Sequence, residues 1–277
     1  MTTMSVDKFG DCDESKGERG PRGERGPPGK KGDDALSLIR WFPSQSINWI
    51  RENEECCYYF KERNDFIWDK EKPPKVIGLK SHSKNGNNAI NLKPTKAMKR
   101  TKLPSRRGYC LEFNDSLFKV KNVLIANANP SYTVLIITFK LDKYPIEEQY
   151  IVTTETGDRS ISVKEKDIKI SGFTYDMEFL YNFQRWNTLF VQWTDMDDMK
   201  GYVYFNEYVA ELTTIKPVHR KERDIFIGAK KDKSQPFLGC LAALEIYEAD
   251  IPPEKCFPEG FRELLIEDHK AMVSSFT

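Results

Sequence analysis

The sequence predicts a mainly β chain folded as an antiparallel jelly-roll β-sandwich, and three observations lead there. Nine short segments between residues 131 and 248 alternate, or are rich in β-branched and aromatic residues. Turn-forming residues separate them, as at Glu155-Thr156-Gly157-Asp158, from Asp195 to Gly201, and at Asn206-Glu207. The 277 residues, 39% apolar and 31% charged, are enough to bury a core of that size. A glycine-periodic N-terminal segment and a short C-terminal helix complete the layout.

Residues 1–16 form a polar tail with no apolar run of the signal-peptide type. That reads either as a start inside a larger precursor or as a chain that is not secreted. Residues 17–34 place glycine at every third position, Gly17, Gly20, Gly23, Gly26, Gly29 and Gly32. At ordinary glycine usage this phase arises by chance roughly once in ten million starts. A collagen triple helix requires that period, because three chains meet at an axis where no side chain fits. The fillers agree: Pro27-Pro28 precedes Gly29, and Arg19, Arg22, Arg25 and Lys31 occupy third slots. Six triplets span only about 55 Å, so the helix needs another device to hold three chains together. Cys12, five residues ahead of Gly17, is the candidate for an interchain disulfide in such a homotrimer. The competing reading is a polar linker.

Residues 35–69 are aromatic-rich, with Trp41, Phe42, Trp49, Tyr58, Tyr59, Phe60, Phe66 and Trp68. Leu36, Ile39, Ile47 and Ile50 read as short helical pieces broken at Pro43, and the connector as either a trimerising neck or an extension packed on the chain's own domain. From Lys70 to Arg107 there are twelve basic residues against one acid, a net of +11 in a chain whose total is +1. Asn, Ser, Gly and Pro fill the gaps, which predicts loops. Lys96, Lys99, Arg100, Lys102, Arg106 and Arg107 are candidates for a sulfated glycosaminoglycan, against the plainer reading of a solvated loop.

Residues 109–277 carry the predicted sandwich. Its strands are expected over 131–141, 149–155, 159–164, 166–171, 188–194, 201–205, 208–212, 224–229 and 240–248. Phe261, Leu264, Leu265 and Met272 stand at helical spacing near the end. The sequon Asn114-Asp115-Ser116 sits in a predicted turn and makes Asn114 a glycosylation candidate in a secreted protein. The six cysteines are even in number but have no CxxC spacing, and three histidines do not favour a zinc site.

Three stretches resemble the laminin G-like family. "YCLEFNDSLFKVKN" resembles its opening strand and turn, and "RWNTLFVQWTDMDDMKGYVYFNEYVAEL" its central hairpin. "DIFIGAKKDKSQPFLGCLAALEIYEADIPPEKC" resembles its closing signature, through Ile227-Gly228 and Phe237-Leu238-Gly239-Cys240. Asn206-Glu207 stands where that family usually has Asn-Gly. The resemblance covers residue 109 to about 256. It implies a concanavalin A-like jelly roll, as in pentraxin and thrombospondin N-terminal modules, closed by a Cys240–Cys256 disulfide. It also implies calcium at the sandwich rim, for which Asp195, Asp197 and Asp198 are the candidate ligands. An acidic turn in water is the competing reading.

Catalysis is not expected. Glucanases of this fold place carboxylates at alternating positions of one strand. The enzymes use the pattern Glu-x-Asp-x-Glu; Asp176 and Glu178 are two apart but lack its third carboxylate, and Glu245 and Glu248 are three apart and face opposite sides of a strand. A net charge of +1 gives no general pull toward nucleic acid, and no apolar run is long enough to cross a bilayer. The expected protein is an extracellular, non-enzymatic binding or adhesion protein. In it a collagen-like stalk gathers three sandwich heads that bind a matrix protein, receptor or glycan. The alternatives are a calcium-dependent, collagen-tailed lectin, a glycoside hydrolase acting through Glu178 or Glu245, and an interaction domain inside a larger precursor.

Overall fold

The computed structural model describes residues 54–60, 62–71, 74–83, 86–94, 98–104, 108–121, 123, 132–143, 145–157, 159–176, 185–194, 201–206, 208–212, 224–249 and 261–274. The glycine repeat and Cys12 lie outside them.

Seventeen strands are found among the described residues, arranged as two sheets. The first sheet runs β15 (Tyr208–Leu212), β14 (Gly201–Phe205), β13 (Asn187–Thr194), β8 (Tyr132–Leu141), β17 (Leu238–Ala249), β6 (Tyr109–Asn114), β5 (Arg100–Lys102). β1 (Glu54–Tyr59) also joins it, paired with β17. The second sheet runs β12 (Phe173–Asp176), β11 (Asp167–Ile170), β10 (Ser160–Lys164), β9 (Gln149–Thr154), β16 (Ile225–Ile227), β7 (Phe118–Val120), β4 (Ala89–Asn91), β3 (Val76–Leu79), β2 (Phe66–Trp68). All strand pairings are antiparallel. One helix, α1 (Phe261–Val273), follows the last strand.

The mainly β fold class predicted from the sequence is what the structure has. Alternation explains it locally: β14 reads buried–partial–buried–partial–buried, and β7 and β11 follow the same period. The inward residues form one core from both sheets, with Leu111, Ile137, Val191 and Leu244 on one side and Ile151, Ile161 and Ile227 on the other. An aromatic chain runs through it: Phe113 meets Phe118 and Phe237 at ring centroids of 5.8 and 5.6 Å, and Phe237 meets Phe139 at 6.4 Å.

β8 breaks the alternation. Thr133 through Phe139 are buried at every position. One face lies in the core, and α1 packs across the other. Leu265, Ile266 and Met272 of the helix are buried there. With them goes His269, which has no exposed surface. Its Nε2 lies 3.0 Å from Glu245 Oε1 and its Nδ1 lies 2.8 Å from Thr138 Oγ1. Thr138 continues to Thr188 at 3.0 Å, and the Tyr247 hydroxyl donates to the other oxygen of Glu245. The polar groups under the helix therefore satisfy one another, as burial demands.

Two expectations are corrected. The helical pieces expected around Leu36, Ile39, Ile47 and Ile50 lie outside the described residues, but from Glu54 onward the connector supplies β1 and β2 with one 3-10 turn, Arg63–Asp65, between them, and Tyr58, Phe60 and Phe66 enter the core. The basic stretch is not simply loop, since β3, β4 and β5 come from it. Among the described residues the sandwich therefore takes strands from Glu54 onward, ahead of Tyr109. These strands are three to six residues long. They form because neighbouring strands, the twelve-residue β17 and the interior β7, offer ready ladders.

The family-like glycines have steric reasons. Gly228 has φ +95°, and a Cβ there would come within 2.6 Å of the Phe113 ring and of the Ser116 carbonyl. Gly239 lies where a Cβ would meet the Lys140 carbonyl at 2.3 Å. At the hairpin between β14 and β15, Asn206 takes φ 54°, the left-handed conformation. Its side-chain oxygen accepts the Thr188 N–H at 2.9 Å.

Candidate functional site

A cleft opens at one end of the second sheet, where two turns flank β9. The first turn follows β9. The Thr154 N–H donates to the Arg159 carbonyl at 3.1 Å, and Gly157, at φ 77°, donates back to Thr154. The second is the loop from Gly228 to Phe237, between β16 and β17. Within it Asp232 Oδ1 accepts the Ser234 N–H at 2.9 Å and its hydroxyl at 2.6 Å, closing a tight turn. Lys233 and Gln235 take left-handed backbones to complete it. Three bonds dock the loop on β9: Gly228 N to Ile151 O at 2.9 Å, Tyr150 N to Gln235 O at 3.0 Å, and Leu238 N to Gln149 Oε1 at 3.0 Å.

The space between the turns has a volume of about 550 Å³. Tyr150 and Thr153 lie outside the core cluster, and Thr153 pairs across the ladders with Ser160 and Phe226. The Lys230 ammonium stands 4.6 Å from the Tyr150 ring centroid and holds the phenol ring in place. Lys231 and Glu155 pair across the opening. Their side chains are 58% and 46% exposed, so the pair contributes under about 1 kcal/mol and is easily exchanged for a ligand. The Ser234 side-chain hydrogen bond, then its backbone N–H, lowers the pKa of Asp232, which stays a carboxylate at neutral pH. The cleft thus offers ammonium donors, carboxylate acceptors, threonine hydroxyls and one aromatic ring. Among the described residues, neither histidine nor cysteine lines it.

The residues singled out from sequence are scattered. Arg100 and Lys102 lie on β5 with Lys99 just before it, all exposed. Arg100 rests 4.6 Å from the Tyr109 ring centroid. Lys96, Arg106 and Arg107 lie outside the described residues, as do Asp195, Asp197, Asp198, Glu178 and Cys256. Asn114 is exposed at the end of β6, next to Asp115, whose carboxylate meets Lys93 Nζ at 2.5 Å. Glu245 is 2% exposed beneath the helix, where no sugar reaches it. Among the described residues, no group of three His, Cys, Asp or Glu side chains is placed to hold a metal ion. No described helix is long and apolar enough to cross a membrane.

Sequence reasoning missed the cleft. Tyr150 and Lys230 are 80 positions apart, and only the pairing of β9 with β16 brings them together. The local sign was present in "GAKKDKSQPF", whose turn residues follow a strand.

The architecture defines the class: an antiparallel sandwich of two sheets, found in several solved proteins. Botulinum neurotoxin type C, studied for cell entry through two ganglioside molecules, matches at TM-score 0.50 and 10% identity, over 80% of this chain and 53% of that one. Domain 4 of AbnA, an extracellular GH43 arabinanase from Geobacillus stearothermophilus solved with arabinotriose, matches at 0.49 and 14%, over 74% and 96%. The receptor-binding domain of botulinum neurotoxin D matches at 0.48 and 11%, over 79% and 53%. The chain spans about half the length of the toxin structures it matches. At these identities the likeness is one of fold alone. No family model matches the sequence, and no curated protein matches it.

Proposed function

We propose that this chain is a non-enzymatic, extracellular binding protein whose sandwich head takes a glycan in the Tyr150–Lys230 cleft. The observation that carries this reading is the lining of that cleft. A sugar presents hydroxyls that both donate and accept, and a patch of C–H groups that packs on an aromatic face. Lys231, Glu155, Asp232 and Thr156 supply the polar partners, and Tyr150 supplies the ring. Fold analogy points the same way, since the botulinum type C structure concerns ganglioside interaction, but analogy of fold is a weak warrant for function.

The glycine repeat adds avidity. Three heads on one collagen-like stalk raise the effective concentration of a weak site without any new contact. Cys12 then locks the three chains, and calcium at Asp195, Asp197 and Asp198 remains the lectin variant of the same reading.

The deciding experiment is a glycan array probed with wild type and with Tyr150→Ala, each with and without chelator. Loss of signal in the variant, with the melting temperature retained, supports the cleft. Loss only with chelator moves the site to the aspartate loop. Binding that survives both leaves the basic edge at Lys99, Arg100 and Lys102 as the surface to test, with heparin in a salt series. Light scattering of the full chain reads the stalk: a monomer with the repeat intact would refute the trimer.

A further inference from the structure

We propose that Cys110 and Cys240 form a disulfide that staples β6 to β17 on the outer face of the first sheet. The register places them there. Leu111 faces Leu241 and Glu112 faces Cys240 across the ladder. Leu111 and Leu241 point into the core, so the alternation sends Cys110 and Cys240 to the same outer face. They are diagonal neighbours, about 7–8 Å apart in a regular ladder, so a small closing movement of the two strands brings them within disulfide reach. Each thiol shifts the other's pKa, as two sulfurs close together do. They share a small apolar pocket with Leu103, Trp186, Ala242 and Val273, at the end of α1.

Cys57, the other buried cysteine among the described residues, is further away. Cys57 pairs with Glu245, five residues along β17 from Cys240, or roughly 16 Å at the strand rise. Cys256, the partner implied by the laminin G-like resemblance, cannot share the single sulfur of Cys240 with Cys110.

The pair is also asymmetric in a useful way. The Cys240 hydrogen bond stabilises the Cys110 thiolate and lowers the Cys110 pKa, against burial and the Glu112 charge. The Cys240 thiol is pushed far up by the same hydrogen bond and by burial. Cys110 is buried and Cys240 is the more exposed of the two, so Cys240 meets an oxidant from solvent first. Cys240 gives up its proton and attacks a small-molecule disulfide such as glutathione disulfide, and one glutathione leaves as a thiolate that takes up a proton. Cys110 then gives up its proton and attacks the Cys240 sulfur of the mixed disulfide, and the second glutathione leaves as a thiolate that takes up a proton. One S–S bond forms, one breaks, and two electrons pass to the oxidant.

Trypsin makes the test clean. Cleavage after Arg107, Lys119, Lys233, Lys255 and Arg262 puts Cys110 in peptide 108–119, Cys240 in 234–255 and Cys256 in 256–262. The full chain is treated with glutathione disulfide without denaturant, alkylated, digested and analysed by mass spectrometry without reduction. The expected product joins 108–119 to 234–255, and Cys110→Ser abolishes it. Oxidation is also expected to raise Tm by about 5 °C or more in wild type and not in Cys110→Ser. A 234–255 peptide joined to 256–262 overturns the proposal. So do glutathione caps on Cys110 and Cys240 separately, or two free thiols after prolonged oxidation. The wild-type map stands whether or not the serine variant folds.

Discussion

The outer faces of the two sheets pose one problem and answer it in opposite ways. On the first sheet α1 covers the outward residues of β8, β13 and β17, and the polar groups caught beneath it pair among themselves through His269, Glu245, Thr138 and Tyr247. At the end of the second sheet Tyr150 stays half-buried beside Lys230, and the Lys231 and Glu155 charges around it stay in water. A buried polar network is sensitive to every member, because each partner left unpaired is left without solvent. A solvated rim is tolerant, because water replaces what is removed. The closed face therefore carries stability, and the open one is free to carry recognition.

Substitutions can break that contrast. The largest effect is expected from Glu245→Ala, which strands His269 under the helix. It is expected to cost about 3 kcal/mol and to lower Tm by roughly 10 °C in calorimetry. Replacing both residues by leucine is expected to recover most of the loss, because removing a buried pair whole is far milder than removing half. Gly228→Ala comes next, at about 2 kcal/mol. Its φ of +95° and the 2.5 Å approach of a Cβ to Phe113 force the cleft loop away from β9, and chemical denaturation together with glycan binding reads both losses. Arg262→Ala removes the guanidinium 4.1 Å from the Tyr204 ring centroid on the closed face and is expected to cost about 1 kcal/mol. Glu155→Ala on the open face is expected to change stability by less than about 0.5 kcal/mol while weakening glycan binding. If Glu155→Ala destabilised the fold as much as Glu245→Ala, the contrast would fail.

Much of the fold was legible because the strands of the sandwich are long enough to show their period. The expected segments 201–205 and 208–212 match β14 and β15, and the expected segment 131–141 contains β8. The strands from residue 54 to 102 were hidden for the same reason in reverse. "AIN" and "RTK" carry no period of their own, and they become strands only because β7 and β6 lie alongside. The helix was visible at 261–273, but its keystone was not. A histidine among apolar residues looks like a surface position until Glu245, 24 residues earlier, is brought beneath it. The cleft failed for the same cause, since no local pattern announces that two turns 75 residues apart will face each other.

β5 leaves one further consequence. It ends the first sheet, and its residues Arg100, Thr101 and Lys102 are all exposed, with Lys99 beside them. A bare terminal strand ordinarily invites a second copy to continue the ladder. Here two copies approaching edge to edge bring like charges together. If three heads share one stalk, crowding them does not turn them into a continuous sheet, and each stays a separate hand on its tether.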